Sequence, residues 1–182
     1  ILGRTCDRPC EPACRRGRVE EKPVAICRLK RVAADFKDDI KGRLPPAAQK
    51  NGKRIALVGG GPASLTVARD LAPLGYHCTV FDSDPKAGGM MRTQIPKFRL
   101  PDSVIDEETD YILGLGIEFK GGTRIDSLKK LLSDNYDAIF VCSGAPRGRE
   151  LEIPGRKEAG DNVHNGIDWL SNVSFGQDRK ST

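Results

Sequence analysis

The chain has 182 residues, of which 38% are hydrophobic, and its formal net charge is +5. A chain of this length accommodates one domain, or one domain preceded by a small module, and it can bury a sizeable core. No apolar run approaches the ~20 residues that a membrane-spanning helix needs, so we predict no membrane span. The chain begins without a methionine or a signal-peptide pattern, and we expect it to be part of a longer subunit.

The charge is unevenly distributed. Residues 1–54 contain 15 Lys and Arg against 7 Asp and Glu, a net charge of +8, whereas the remaining residues are net acidic. A basic segment suits nucleic acid, but it also balances thiolates or receives an acidic partner protein. Phe36 is the only aromatic residue of this segment, and base stacking needs aromatic side chains. We therefore predict no nucleic-acid partner.

The N-terminal quarter of the chain is predicted to be a small helical module. Prolines interrupt residues 1–22, which predicts a loop. Pro23 suits the first turn of a helix, and apolar residues recur after it at helical spacing. The module is assigned to residues 1–44, and the proline- and glycine-containing residues 45–53 are assigned to a linker.

A strand–helix–strand unit follows the linker. The apolar run Arg54–Val58 predicts a strand, and it leads into the glycine turn 59–64. Residues 62–74 predict a helix that Gly75 ends. The apolar residues Cys78–Phe81 predict a second strand next to the first.

The rest of the chain continues this alternation. Residues 83–101 contain several glycines and prolines and predict an ordered loop over a ligand. Strands alternating with helices indicate an α/β fold with a parallel, doubly wound sheet, so residues 54–182 are assigned to a Rossmann-like domain. The remaining predicted elements are a helix at 102–115, a strand at 117–119, a helix at 127–132 and a buried strand at 138–142.

Four cysteines lie close together near the start of the chain. Their spacing is C-x3-C-x3-C, followed by twelve residues and a fourth cysteine. Four thiolates suit either tetrahedral zinc or a [4Fe–4S] cluster. Structural zinc favours two well-separated pairs of ligands, whereas three ligands in quick succession and a lone fourth favour iron–sulfur binding. A structural zinc site stays open as the alternative for these residues, which are Cys6, Cys10, Cys14 and Cys27.

The other two cysteines, Cys78 and Cys142, lie in apolar strand-like runs. We interpret both as buried free thiols that act as small hydrophobic side chains. A chain with free and metal-binding thiols is typical of a reducing compartment, so we predict a cytoplasmic location.

The turn Gly59-x-Gly61-x-x-Ser64 has the spacing of a dinucleotide-binding turn. The first glycine makes the tight turn, the second lets the backbone approach a pyrophosphate, and the small serine permits close packing. The phosphates would rest on the backbone of Pro62, Ala63 and Ser64 at the start of a helix. Asp82, 23 residues after Gly59, is placed to hydrogen-bond a ribose and disfavours a 2′-phosphate, which favours FAD or NAD over NADP.

The turn itself does not decide between flavin and nicotinamide. Gly88 and Gly89 follow Asp82 closely and let the backbone pass a bulky ring system, which favours a flavin. Met90 and Met91, next to these glycines, are interpreted as packing residues as readily as cofactor contacts. No catalytic residue is identified, since the sequence contains no Ser-His-Asp set and no defensible pair of carboxylates.

Several stretches of the chain form a recognisable set. They are Gly3-Arg4-Thr5-Cys6, Cys10-Glu11-Pro12-Ala13-Cys14, Pro23-Val24-Ala25-Ile26, Gly59-Gly60-Gly61-Pro62-Ala63-Ser64-Leu65, Gly88-Gly89-Met90-Met91-Arg92, Ile95-Pro96-Lys97-Phe98-Arg99-Leu100-Pro101, Tyr136-Asp137-Ala138-Ile139-Phe140, Ser143-Gly144-Ala145 and Ile153-Pro154-Gly155. With these stretches the chain resembles the small subunit of glutamate synthase and the similar module of dihydropyrimidine dehydrogenase. Many relatives have a cysteine where this chain has Leu2, so Cys27 is the candidate that completes one cluster.

The resemblance implies FAD at 59–64 and 82–90, with Gly89 and Met90 among its contacts, Arg99 on the flavin side and Ile125 near the adenine. It implies electron transfer from NAD(P)H through FAD and iron–sulfur clusters to a partner redox subunit or domain. The nicotinamide site is expected in a further C-terminal domain, so residues 54–182 would be the first half of the FAD domain. The competing hypothesis is a non-catalytic docking module whose cysteines bind zinc.

Overall fold

The computed structural model describes residues 1–40, 48–149 and 151–176. Its strands are β1 (Arg54–Val58), β2 (His77–Phe81), β3 (Glu118–Lys120) and β4 (Ala138–Val141). Short 3-10 turns are found at Arg15–Arg18, Ala72–Leu74 and Gly160–Asn162. The helices are α1 (Leu2–Thr5), α2 (Ile26–Asp35), α3 (Pro62–Leu71), α4 (Met90–Thr93), α5 (Asp102–Leu113), α6 (Leu128–Ser133), α7 (Arg156–Ala159) and α8 (Gly166–Ser174).

The four strands form one parallel sheet in the order β3-β2-β1-β4. This arrangement confirms the predicted doubly wound α/β class. In the register of the sheet, Val58 lies between Phe81 and Val141, so the carboxyl ends of three strands meet at one edge. The glycine turn leaves β1 at that edge, which is where ligands bind in open parallel sheets. Across the described ranges, no helix is long and apolar enough to cross a membrane.

Helix α3 begins as its sequence predicts. Pro62 is its first residue, where the missing N–H costs no hydrogen bond. After Leu71 the chain tightens into a 3-10 turn, which ends at Gly75 in the left-handed conformation with a φ of 89°. Together the two helical segments cover the predicted range 62–74.

Side chains alternate between two core layers on the faces of β1. Ile55 and Leu57 pack on the face covered by α3 and α5. Ala56 packs on the opposite face with Phe81 and Leu131. This alternation follows from the two-residue period of a strand, and it buries Ile55, Ala56 and Leu57 between the two layers.

Two predicted segments differ from their expectation in local detail. The predicted loop at 1–22 contains α1 and a 3-10 turn, and the loop at 83–101 contains α4. In both segments the turn of helix is only four residues long, which is too short to give a periodic apolar pattern. Part of the predicted linker lies outside the described residues. The described part bonds back to the end of α3, through Ala48 N–H to the Pro73 carbonyl at 2.9 Å and Asn51 N–H to the Gly75 carbonyl at 3.1 Å.

The prediction that β4 is a buried strand is wrong. Phe140 and Val141 are 36% and 50% exposed, and β4 pairs only with β1 among the described residues. An apolar run shows that burial is favourable, but an edge strand has a neighbour on one side only. For the same reason Cys142 is half-buried, whereas Cys78, in β2, is buried as predicted. Burial raises the pKa of the Cys78 thiol.

The N-terminal segment packs directly on the glycine-turn domain. Within the segment, α1 packs on α2, and Arg4 pairs with Asp35 at 3.2 Å. Two further contacts reach the domain: Lys37 pairs with Glu107 of α5 at 2.7 Å, and Arg99 donates to the Arg4 carbonyl at 3.2 Å. The division into a module at 1–44 and a domain at 54–182 stays a prediction, but the two parts touch.

Replacing Leu57 by Ala is expected to lower the free energy of unfolding by about 3 kcal/mol, because a fully buried leucine leaves a cavity. Leu57 has no exposed surface and lies in the core between β1 and α3. Leu132→Ala is the matched control, since that side chain is 59% exposed, and we expect a loss below about 1 kcal/mol. Urea denaturation monitored by circular dichroism measures both, and equal losses would contradict the assigned core.

The carboxylate of Asp137 ties the start of β4 to β1. It accepts from Lys53 Nζ and from the Arg54 amide, each at 2.8 Å. The Lys53 hydrogen bond, followed by that of the Arg54 amide, lowers the pKa of Asp137 below its ordinary value. A carboxyl group with a lowered folded-state pKa contributes stability above its unfolded pKa, and this contribution is lost as the pH falls through the folded value.

Asp137→Asn is therefore expected to flatten the decline of stability below about pH 4, where an unfolded Asp begins to bind protons. At neutral pH the variant should be less stable by a small amount, since exposed ion pairs contribute little. Urea unfolding between acidic and neutral pH measures the effect. Asp126→Asn is the control, because Asp126 pairs with Arg124 only two positions away and both side chains are highly exposed. Parallel pH profiles of stability for the two variants would contradict the role assigned to Asp137.

Candidate cofactor sites

Gly59 makes the sharp turn at the end of β1. Its φ is +105°, and a Cβ built at this position would overlap the Cys142 carbonyl oxygen and lie 2.8 Å from the carbonyl carbon. The Gly59 amide donates to the Phe81 carbonyl at 2.8 Å. No other residue fits here, because the turn is held between the ends of β2 and β4. This is the tight turn predicted for the first glycine.

Asp82 lies at the end of β2, as predicted, and its carboxylate braces the glycine turn. One oxygen accepts a hydrogen bond from the Gly60 amide, and the other accepts from the Asp84 amide at 2.8 Å. A Cβ on Gly60 would lie 2.6 Å from the nearer carboxylate oxygen. Each carboxylate oxygen accepts more than one hydrogen bond, so this brace leaves capacity for a ribose hydroxyl. Burial, and then the charge of Asp82, raise the pKa of the neighbouring Asp84.

The start of α3 presents unused hydrogen-bonding groups. No side chain caps this helix, and among the described residues the Ser64 hydroxyl oxygen is buried without a hydrogen-bond partner. The amides of Ala63 and Ser64 belong to the first turn, whose N–H groups have no partner within a helix. Such a helix start attracts an anionic group such as a pyrophosphate. Pro62 and Ala63 are exposed, so a ligand reaches this end of the helix.

The second glycine pair packs against the turn. The Gly88 amide donates to the Gly60 carbonyl at 2.8 Å. A Cβ on Gly89 would lie 2.8 Å from the Gly61 Cα, so the two backbones touch at a point that admits no side chain. Met90 follows directly and is 61% exposed. The structure therefore brings Gly59, Gly61 and Gly89 together, and their contact with a cofactor stays a prediction.

Two further predicted contacts lie around this edge. Ile125 packs against the layer formed by Ala56, Phe81 and Leu131, and the nearby Thr123 amide donates to the Asp82 carbonyl at 2.7 Å. Ile125 is thus held on the Asp82 side of the turn. Arg99 is exposed and contacts the N-terminal segment through the Arg4 carbonyl. It stands at the junction of the two regions, and its proposed approach to a flavin stays a prediction.

The cysteine segment is organised around Cys27. Cys27 is buried at the start of α2, its thiol donates to the Gly3 carbonyl at 3.2 Å, and its amide donates to the Glu11 carboxylate at 3.0 Å. These bonds join three separate parts of the segment, near Gly3, Glu11 and α2. A Cβ on Gly3 would lie 2.7 Å from the Arg31 amide nitrogen, so α1 and α2 approach closely here.

Backbone amides surround two of the other sulfur atoms. The Arg8 amide donates to the Cys6 sulfur at 3.4 Å. Backbone hydrogen bonds from Val24 and then Arg16 lower the pKa of the Cys14 thiol. Amide donors of this kind favour the thiolate form, which is the form that binds metals. Cys10 is exposed.

The structure does not assemble the four thiols into one site. Within the described ranges, no three His, Cys, Asp or Glu side chains come together in a way that could hold a metal ion. The donor chemistry of Cys6 and Cys14 suits a metal cluster, but the ligand set stays a prediction. The dinucleotide turn fits its group more completely, because the start of α3 is exposed and has no side-chain cap, which suits a pyrophosphate.

Sequence reasoning missed three residues of these regions. Gly60 donates to Asp82, Glu11 accepts from Cys27, and Arg92 is a buried cation beside the glycine pair. Gly60 and Arg92 stand inside motifs that the sequence analysis had singled out, so their neighbourhood was a signal. Glu11 also stands inside such a stretch, between Cys10 and Cys14, but its hydrogen bond joins residues 16 positions apart and no local pattern reveals it.

Known proteins resemble this chain over most of its length. Residues 57–117 match the NAD(P)-binding Rossmann-like domain family. The chain is 36% identical to the glutamate synthase [NADPH] small chain of Mycobacterium tuberculosis, over 98% of this chain and 37% of that protein. It is 32% identical to a homolog of the NAD-dependent dihydropyrimidine dehydrogenase subunit PreT from Salmonella typhi, over 93% of this chain and 42% of that protein. The chain thus spans less than half the length of either relative.

A solved structure supports the fold alone. The 2-naphthoyl-CoA reductase in complex with 2-naphthoyl-CoA matches 74% of this chain and 20% of its own, with a TM-score of 0.54 and 24% identity. The likeness predicted from the cysteine and glycine motifs is therefore confirmed: over nearly its whole length, this chain is similar to glutamate synthase small chains and dihydropyrimidine dehydrogenase subunits, and its sheet is Rossmann-like.

Proposed function

We propose that this chain binds FAD at the turn between β1 and α3 and a [4Fe–4S] cluster at Cys6, Cys10, Cys14 and Cys27. In this role it relays electrons between NAD(P)H, flavin and a partner redox subunit. The observation that carries the proposal is the contact of the two glycine motifs at the start of α3, a helix that no side chain caps. The similar proteins are a glutamate synthase [NADPH] small chain and a homolog of an NAD-dependent dihydropyrimidine dehydrogenase subunit, which supports the redox role.

The residues of the turn have separate tasks. The backbone amides of Ala63 and Ser64 donate to the pyrophosphate, and Asp82 accepts from the ribose. Gly61 lets the backbone approach the cofactor, and Gly89 packs on Gly61. Bound flavin supplies the chemistry that converts hydride transfer into single-electron transfer. The protein's contribution is to hold that group at a fixed place beside the N-terminal segment.

Contact between the two regions supports an electron path. Arg99 donates to the Arg4 carbonyl, and Arg4 lies two residues before Cys6. The cysteine segment therefore contacts residues 83–101, the segment that also carries the glycine pair. The basic charge of residues 1–54 suits thiolates and an acidic partner subunit. All six cysteines are free thiols, which fits a reducing compartment such as the cytoplasm.

Anaerobic purification of the full chain, followed by visible spectroscopy and analysis of flavin, iron, sulfide and zinc, tests the proposal. We expect bound FAD, and iron with an equal amount of sulfide. A colourless protein that binds zinc and takes up no FAD would instead identify a metal-binding docking module. FAD without iron would support the flavin site and contradict the cluster.

A further inference from the structure

Arg92 is a buried cation next to the glycine pair. Its side chain is 4% exposed, although it carries a full charge. The guanidinium makes three contacts: Nε donates to the Ala87 carbonyl at 3.1 Å, and the two terminal nitrogens reach Asp102 at 3.4 Å and Asp106 at 2.6 Å. Burying a charge is costly unless it is paired, so a specific arrangement is being maintained here.

The guanidinium connects the glycine loop to α5. Ala87 is the residue directly before the glycine pair, and both acids lie in the first half of α5. A Cβ on Gly88 would lie 3.2 Å from the Ile105 side chain and 3.4 Å from the Arg92 Cβ. The loop is therefore enclosed on this side by α5 and Arg92.

The opposite side of the same loop faces the dinucleotide turn. The Gly88 amide donates to the Gly60 carbonyl, and Gly89 contacts Gly61. At its contact with Gly61, Gly89 has no space for a side chain. Arg92 and α5 pack against the loop, and α8 also packs on α4, the helix that carries Arg92.

We propose that Arg92, held by Asp106 and Asp102, is a positioning residue that presses the glycine loop onto the dinucleotide turn and so preorganises the FAD site. Arg92 itself does not contact the cofactor. The inference rests on the proposed flavin site. A planar guanidinium suits this task because it reaches three acceptors in different directions, whereas the ammonium of a lysine reaches fewer of them.

Asp106→Asn is the informative variant. It removes one charge from a carboxylate that is 41% exposed, so the fold should persist, and it weakens the shortest contact of Arg92. We expect the dissociation constant for FAD to rise roughly tenfold, since a hydrogen bond between charged groups is about twice as strong as a neutral one. Arg92→Met should weaken binding further, and Arg92→Lys should recover part of that loss.

Glu107→Gln is the matched control. Glu107 is the next residue of α5, and it pairs with Lys37 on the N-terminal segment rather than with the loop. This variant loses an ion pair of the same helix. We nevertheless expect its FAD affinity and the hydrogen exchange of the amides at 87–93 to equal those of the wild-type chain.

The experiment titrates FAD into the FAD-free full chain and follows flavin fluorescence. Hydrogen exchange of the amides at 87–93 is measured on the same FAD-free proteins, as is the melting temperature. The expected result is faster exchange in this loop and weaker FAD binding for Asp106→Asn and not for Glu107→Gln. A loss of melting temperature without a change in affinity would show a purely structural role and overturn the inference.

The two proposals fail in different ways. If the wild-type chain binds no FAD, the proposed function is wrong and the inference falls with it. If the wild-type chain binds FAD and Asp106→Asn binds it equally well, the inference alone is wrong. Loss of binding in Arg92→Met with no recovery in Arg92→Lys and none of the exchange effect would also contradict the positioning role.

Discussion

Replacing Gly59 by Ala is expected to abolish FAD binding and to destabilise the domain. A Cβ at this position would overlap the Cys142 carbonyl, which belongs to the backbone and cannot move aside like a flexible side chain. The positive φ adds strain of about 1 kcal/mol for a residue other than glycine. Relief of the overlap must separate β1 from β4 at the edge of the sheet, where the pyrophosphate is proposed to bind.

We expect the affinity of Gly59→Ala for FAD to fall by at least about a hundredfold, since the backbone of the turn supplies the phosphate site. FAD titration followed by flavin fluorescence measures the loss, and urea denaturation measures the stability. Gly116→Ala is the matched control: its φ is +86°, but an added Cβ meets nothing within 4 Å. That variant bears the backbone strain alone and should bind FAD normally. Equal effects of the two changes would contradict the assigned turn.

The segment from β1 to β2 could be predicted because each of its signals is local. An apolar run, a glycine turn, Pro62 at the helix start and Gly75 at its end all act within a few residues, and the structure forms them as expected. Asp82, the predicted ribose-binding acid, was also placed correctly at the end of β2. Its brace on Gly60 was missed, because that contact joins residues 22 positions apart and only the folded sheet brings them together.

Burial could not be predicted with the same certainty as secondary structure. The apolar residues of β4 indicated a strand correctly, but Phe140 and Val141 are exposed because β4 lies at the sheet edge. Arg92 shows the opposite case. A cation is expected on the surface, and its two acidic partners are 10 and 14 residues away, so no short pattern reveals that it is buried.

The cysteines show where spacing stops being informative. Their number and order predict thiolate-bound metal, and the backbone donors to Cys6 and Cys14 fit that chemistry. Spacing does not fix how a proline-rich loop folds between the ligands. In the structure Cys27 instead bonds to the Gly3 carbonyl, which holds α1 and α2 together around the cysteine that is farthest from the others in sequence.

Cys14→Ser is expected to remove the proposed cluster. A [4Fe–4S] cluster needs four thiolates, and a serine hydroxyl is a poor substitute because it stays protonated at neutral pH. Iron should fall from about four atoms per chain to below about one, with loss of the broad visible absorbance. FAD binding should persist, because the glycine turn is built from other elements.

Cys142→Ser is the control for this change. Cys142 is a half-buried free thiol outside the N-terminal segment, so its substitution should leave the iron content unchanged. Iron and sulfide analysis after anaerobic purification compares the two variants with the wild-type chain. Full iron in Cys14→Ser would show that this residue is not a ligand, and a wild-type chain with zinc in place of iron would contradict the cluster itself. Because the two glycine motifs contact each other and include none of the cysteines, a chain that lost iron alone would still carry the flavin half of the proposed path.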